Sequence, residues 1–163
     1  MTRDLLSDPT PPMKTTADLV LEDATTADVF AKIALLDDYP TWMRLVHAVR
    51  RLDADDGRPA WWVELRARVG PFARSKQLRM VRVGCEPDRW VRFERVQPDD
   101  RDHANWILDV HLAPRGESTV VTMHLEYTGE LWTGGVLQRV LDDEIRRGRD
   151  GLRRAVSGSD VAR

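Results

Sequence analysis

Arg95 and Glu144 are the two ionisable residues whose positions best suit chemistry. Arg95 continues the apolar face of a predicted strand that carries Val91 and Phe93, and Glu144 lies on the flank of a predicted C-terminal helix. Because buried charges are costly unless they pair, an inward Arg95 facing Glu144 would satisfy both and could orient a ligand or act on it. The alternative is that both side chains reach solvent at the rim of a cavity.

The four histidines do not form a metal-binding pattern, because no two of them lie two or four residues apart on one element. His103, His111 and His124 alternate out of phase with the apolar strand faces, which predicts exposed side chains. His47 follows a predicted apolar helix and could approach a cavity mouth. The single Cys85 excludes an intramolecular disulfide and a cysteine-cluster metal site. We therefore expect no metal and no cofactor.

Period-two alternation predicts an antiparallel meander. It is clearest in residues 61–70, where Trp61, Val63, Leu65, Ala67 and Val69 share one face. The predicted strands are 16–22, 44–54, 61–70, 73–84, 89–96, 104–112 and 119–128. In 73–84 the pattern leaves two choices for the inner face, Leu78 with Met80 or Val81 with Val83.

Helical signals lie at both ends of this meander. Thr25 or Thr26 can cap a short helix that closes near Asp37 and Asp38, and Pro40 fits the first turn of a second short helix ending near Met43. A long C-terminal helix is predicted by apolar residues at helical spacing, namely Leu137, Leu141, Ile145, Leu152 and Val156. Gly148 could leave room where another group presses on this helix.

These elements predict an α+β fold in which a curved antiparallel sheet of about seven strands surrounds the long helix. Two short helices follow the first strand, and an apolar ligand cavity lies between sheet and helix. We expect a leader at 1–14, one ligand-binding domain at 15–157 and a tail at 158–163. The expected lining residues are Trp61, Leu65, Met80, Phe93, Arg95, Trp106, Leu108, Met123 and Leu125 from the sheet, and Leu141, Glu144, Ile145 and Gly148 from the helix.

Composition narrows the expected partners. The formal net charge is −2, so no global basic excess indicates DNA. No apolar run approaches the roughly 18 residues needed to span a bilayer, and the first residues lack the apolar centre of a signal peptide, so we expect a cytoplasmic protein without integral membrane insertion. One alternative is an RNA-, ribosome- or protein-interaction module that uses a basic outer sheet face built from Arg66, Arg68, Arg74, Lys76, Arg82 and Arg92. The oligomeric state stays open.

Three stretches resemble a known family. The run ADVFAKIALLDDYPTWMRLVHAVRRL is similar to the opening of the bacterial polyketide cyclase/dehydrase and lipid-transport family, and WWVELRARVGPFARSKQLRMVRV and RWVRFERV are similar to its central strands. The order of elements resembles the helix-grip fold of the START and pollen-allergen superfamily, also called SRPBCC. The resemblance covers residues 16–156 and contains no catalytic signature.

The resemblance implies that the chain binds, transports or sequesters a hydrophobic small molecule such as a lipid or polyketide. A polyketide aromatase/cyclase is the enzymatic alternative, which would work by positioning a reactive chain and excluding water. That reaction needs at least one inward acid or base, for which Glu144 and Arg95 are the candidates. We expect a binding protein in preference to an enzyme.

Overall fold

A computed structural model describes residues 13–97, 105–128 and 136–160 of this chain. Its strands are β1 (Met13–Leu21), β2 (Val46–Asp55), β3 (Arg58–Val69), β4 (Phe72–Glu86), β5 (Trp90–Arg95), β6 (Trp106–Arg115) and β7 (Ser118–Tyr127). Helix α1 (Thr26–Ile33) and a 3-10 helix, η1 (Leu36–Thr41), separate β1 from β2, and helix α2 (Val136–Asp160) follows β7. Strand β1 and helix α2 thus extend beyond the predicted domain limits of 15 and 157.

The seven strands form one curved antiparallel sheet in the order β1-β7-β6-β5-β4-β3-β2. Every neighbouring pair except β1–β7 is consecutive in sequence, so the sheet is the meander that the alternation predicts. Trp61, Val63 and Ala67 are buried on its concave face, where α2 contacts β1 and β3. The predicted fold class is confirmed. No helix in the described ranges is long and apolar enough to cross a membrane.

Helix α1 begins at a capping box. The Thr25 hydroxyl accepts a hydrogen bond from the Asp28 amide at 3.1 Å, and the Asp28 carboxylate accepts one from the Thr25 amide at 3.4 Å. The helix ends at Ile33, earlier than predicted, and Pro40 lies within η1 instead of opening a separate helix. The carbonyl of Ala34, the residue that follows the helix, accepts a hydrogen bond from Arg82 Nη1 at 2.9 Å.

Part of the predicted basic outer face is wrong, because several of its cations lie on the concave side of strand β4. Lys76 lies opposite Leu65 and Arg74 opposite Ala67, and residues directly opposite in an antiparallel pair share a face. Arg74, Lys76 and Arg82 therefore belong to the concave side. The prediction was wrong because Met80 and Val81 are both buried, so apolar pattern alone could not choose the inner face.

Aromatic side chains fill the core between η1 and the sheet. The ring centroids of Tyr39 and Phe93 are 5.9 Å apart, and those of Trp61 and Phe93 are 5.7 Å apart. The polar atoms here have partners: the Tyr39 hydroxyl donates to the Ile33 carbonyl at 3.0 Å, and Trp61 Nε1 donates to Asp37 Oδ2 at 2.8 Å. We call this region, together with Trp42, whose ring centroid lies 4.7 Å from that of Tyr39, and the part of α2 that packs on Trp42, the filled core.

Glycine at position 151 lets α2 lie close to Trp42. A Cβ added at Gly151 would come within 2.4 Å of the Trp42 carbonyl oxygen, whereas one at Gly148 would meet it at an ordinary 3.7 Å. The predicted close approach to the helix is therefore made by Trp42, and it is tightest at Gly151. Gly148 packs in the filled core.

Candidate functional site

An apolar cavity lies between η1, the concave face of the sheet and α2. Its volume is about 70 Å³. One water molecule needs roughly 10–15 Å³, so the cavity has room for several waters. The interior is therefore not completely filled by side chains. The lining residues are Leu36, Tyr39, Met43, Leu45, Val46, Val63, Leu65, Leu78, Met80, Trp106, Leu108, Met123, Leu125 and Glu144.

Two of the lining residues carry a buried polar atom without a partner. Within the described part of the chain, Trp106 Nε1 and Glu144 Oε2 make no hydrogen bond. Trp106 is 5% exposed, and the Glu144 side chain is 12% exposed. Most buried polar groups in folded proteins are paired, so an unpaired donor and an unpaired acceptor on two residues that line one cavity need an explanation.

Seven of the predicted lining residues do border this cavity: Leu65, Met80, Trp106, Leu108, Met123, Leu125 and Glu144. Trp61, Phe93 and Gly148 are buried in the filled core instead. Leu141 and Ile145, which were also predicted to line the cavity, lie in α2, but their side chains are outside the part of the structure that is described. Tryptophans on apolar strand faces look the same in sequence whether they pack in a core or border a cavity, which is why Trp61 and Trp106 were grouped together.

Arg95 and Glu144, whose pairing was one of the two arrangements that the sequence left open, make other contacts. Arg95 is half-buried at the end of β5 and donates to the Gln97 side chain. Glu144 Oε1 lies 3.6 Å from Nη1 of Arg147, one turn further along α2. Glu144 thus lines the cavity, whereas Arg95 borders neither the cavity nor the polar depression next to it.

The cavity adjoins a polar depression that we call the mouth. The cavity and the mouth share Val46 and Glu144, and the mouth has a volume of about 480 Å³. It is lined by Pro40, Arg44, Val46, His47, Arg66, Ala67, Arg68, Asp143, Glu144 and Arg147. Its four arginines outnumber its two carboxylates, so its fixed charge is positive. His47 is exposed here, at the position that the sequence suggested.

Cations also gather on the concave side of β4 and β5. Lys76 lies on the same face as Met80, which is paired with Arg95. Burial, and then the positive charge of Arg95, hold the pKa of Lys76 below its ordinary value. These two cations extend the positive charge beyond the mouth.

Sequence reasoning missed the part of the wall that comes from η1 and the chain after it. Leu36, Tyr39, Met43 and Leu45 line the cavity, but they lie in a short helix and loop without strand alternation. The apolar residues around Pro40 were the available signal. His111 and His124 are exposed on the outer face, as predicted, whereas His103 lies outside the described residues.

This combination of a curved sheet, a C-terminal helix and a cavity between them defines a helix-grip protein. The model of the family described as polyketide cyclase / dehydrase and lipid transport matches residues 14–157, so the chain belongs to that family. Among curated proteins, none is significantly similar in sequence.

Solved structures show the same fold at low sequence identity. TTHA0849 from Thermus thermophilus has a TM-score of 0.70 and 16% identity, with 90% of this chain and 99% of that one covered. A START superfamily protein from Mycobacterium smegmatis has a TM-score of 0.67 and 14% identity, with 90% of this chain and 97% of that one covered. The Zhui aromatase/cyclase from Streptomyces sp. R1128 has a TM-score of 0.66 and 10% identity, with 90% of this chain and 94% of that one covered.

Proposed function

We propose that this chain binds a hydrophobic small molecule that carries hydrogen-bonding groups, with its apolar part in the cavity. The observation that carries the proposal is that two residues lining an otherwise apolar cavity each hold a buried polar atom without a partner, Trp106 Nε1 and Glu144 Oε2. The indole N–H can only donate, and an ionised carboxylate can only accept. A ligand that accepts from Trp106 and donates to Glu144 would satisfy both atoms.

These two groups favour an oxygenated ligand over a plain hydrocarbon chain. A buried polar group without a partner costs about 1–3 kcal/mol, and an acyl chain would leave both costs in place. A carbonyl or hydroxyl on the ligand would remove them. Of the two ligand types that the family description names, a polyketide carries such oxygens along its length, whereas a lipid carries them mainly at one end.

The dimensions indicate how such a ligand would lie. The cavity has room for a compact apolar end, and the larger mouth would receive the rest of the molecule. The excess of arginine over carboxylate at the mouth favours a ligand whose outer end is neutral or anionic. Glu144 borders both spaces, so it would contact the ligand where its apolar part ends.

An aromatase or cyclase is the second candidate, and the position of Glu144 is the observation that favours it. Glu144 is a carboxylate at the inner end of the mouth, where it could accept a proton from a chain that lies in the mouth with its apolar end in the cavity. The Zhui protein, which shares the fold, is an aromatase/cyclase. Neither the family nor the similar structures reported above support the RNA or ribosome alternative, and a cytoplasmic location stays a prediction.

Native mass spectrometry of the purified full chain tests the binding proposal. We expect a co-purified hydrophobic molecule of defined mass whose fraction falls in Glu144→Gln and in Trp106→Phe. Thr15→Val is the matched control, because the Thr15 hydroxyl is also buried and unpaired among the described residues but does not line the cavity. An equal loss in Thr15→Val, or no bound molecule in any form, would overturn the proposal.

The enzymatic candidate needs a separate measurement. With a poly-β-ketone substrate that the wild type converts, Glu144→Gln should lower kcat by about 100-fold, the low end for loss of a general base. Unchanged turnover in Glu144→Gln would remove the catalytic role and leave the binding role intact. Arg95→Met, at a residue outside the cavity wall, is the control and should retain turnover.

A further inference from the structure

The β3–β4 hairpin extends past both neighbouring strands. Strand β2 reaches β3 only as far as Leu65, and in the described part of the chain β5 reaches β4 only as far as Met80. The remaining residues, from Ala67 to Arg74, pair across the hairpin with each other or form its turn, which Gly70 closes with a φ of +59°. This two-stranded segment therefore projects from the sheet, and we call it the finger.

The finger carries positive charge without acidic residues. No Asp or Glu occurs between Glu64 and Glu86. Arg68 and Arg74 are exposed and have no ion-pair partner among the described residues, and Lys76 lies two residues beyond Arg74 on the same face of β4. The finger is thus a concentrated cationic site on a chain whose formal net charge is −2.

An apolar group stands at the tip of the finger. Phe72 is 70% exposed, the large apolar side chain most open to solvent among those described, and Pro71 beside it is also exposed. Burying an exposed Phe side chain contributes about 1.5–3 kcal/mol of favourable free energy. A surface that covers Phe72 would therefore be bound more tightly by about that amount. The position at a tip makes it available for insertion.

We propose that the finger docks on an anionic membrane surface, with Phe72 inserted at the interface and Arg68 and Arg74 against lipid phosphates. Apolar insertion combined with basic residues is the arrangement by which peripheral proteins bind anionic bilayers. An acidic protein would complement the charges but does not require an unaccompanied aromatic side chain at the tip. The proposal commits to lipid for that reason.

Docking would bring the mouth of the cavity to the bilayer. Arg66 and Arg68 lie on the strand that leads into the finger, and both line the mouth. A hydrophobic ligand could then pass between membrane and cavity with little exposure to water. The membrane proposal itself rests on the finger and stands whether or not the cavity holds a ligand.

Vesicle sedimentation with the full chain tests the proposal. The protein should bind vesicles made of equal parts phosphatidylcholine and phosphatidylglycerol, bind phosphatidylcholine vesicles much less, and dissociate as salt is raised. Phe72→Ser should weaken binding by about tenfold. Arg68→Gln and Arg74→Gln should each weaken it by about fivefold, the expected contribution of one cation near an anionic surface.

Arg115→Gln is the matched control, because Arg115 is an exposed cation in the β6–β7 hairpin at the opposite end of the sheet. It should bind vesicles as the wild type does. Absence of wild-type binding to anionic vesicles at low salt would overturn the proposal, as would equal losses in Arg115→Gln and Arg74→Gln. Binding of an acidic protein or single-stranded RNA through the finger without vesicle binding would overturn it in favour of that partner.

Discussion

The filled core and the cavity wall each contain a buried tryptophan, but the two tryptophans differ in their hydrogen bonding. In the filled core, Trp61 Nε1 donates to Asp37 at 2.8 Å. Beside the cavity, Trp106 is equally well buried, but its Nε1 has no partner among the described residues. The same side-chain type is thus paired in one region and unpaired in the other.

This contrast separates structure from function better than burial does. Both tryptophans are at most 5% exposed, so burial alone would place them in one class. Hydrogen-bond satisfaction distinguishes them, since an unpaired donor destabilises the empty protein and can be explained by a partner that binds later. The unpaired oxygen of Glu144 beside the same cavity strengthens this interpretation.

The largest effect is expected where the filled core leaves no space. Gly151→Ala should lower the free energy of unfolding by about 1–3 kcal/mol, because the new Cβ would meet the Trp42 carbonyl at 2.4 Å. Gly148→Ala is the matched control and should raise it by up to about 1 kcal/mol through helix propensity. Urea unfolding measures both, and equal effects at the two sites would contradict the close contact.

A second pair of substitutions compares the two tryptophans directly. Trp61→Phe removes a hydrogen bond to a carboxylate, whereas Trp106→Phe removes a donor that has no partner among the described residues. The free energy of unfolding of ligand-free protein should therefore fall by about 0.5–1.5 kcal/mol more in Trp61→Phe, because the accepting carboxylate is partly exposed. If Trp106→Phe costs as much, the contrast between the regions is wrong.

The smallest expected effect is a pH dependence at Asp37. Partial burial raises its pKa, but hydrogen bonds from Trp61 and Arg51, with the charge of Arg51, outweigh burial and hold the pKa below its ordinary 3.8. Ionised Asp37 therefore stabilises the fold above pH 3.8, and this contribution is lost as the pH falls through the folded-state pKa.

Asp37→Asn should therefore cost less than about 1 kcal/mol at neutral pH, because the side chain is 42% exposed and screened by solvent. The difference in unfolding free energy from the wild type should shrink on acidification below that ordinary value. Denaturant titrations at several pH values check this, and a cost that is constant with pH would count against the pKa shift.

Sequence was a good guide where one face of an element is apolar. Alternation in β3 placed Val63 and Ala67 inside correctly, and Thr25 was a correct helix cap. It failed in β4, where Met80 and Val81 are both buried, and the cations Arg74 and Lys76 were therefore assigned to the wrong face. Period-two reasoning cannot choose a face when both faces of a strand are covered.

The site was harder to predict than the fold. Glu144 was identified from its place on the flank of the helix stripe, but its ion-pair partner is its neighbour Arg147 and not Arg95, which was one of two alternatives. Whether a tryptophan has a hydrogen-bond partner depends on residues distant in sequence, as with Trp61 and Asp37, which are 24 positions apart. Such pairings exist only after the chain folds.

Calorimetric binding of 2-naphthol and 2-methylnaphthalene tests the central claim most directly, because the two molecules differ in shape mainly by a hydroxyl in place of a methyl group. If Trp106 and Glu144 await a polar partner, the wild type should bind 2-naphthol about tenfold more tightly, which corresponds to one recovered hydrogen bond of about 1.4 kcal/mol. The preference should vanish in the double variant Trp106→Phe, Glu144→Gln. Equal affinities in the wild type, or a preference that survives in the double variant, would contradict the account.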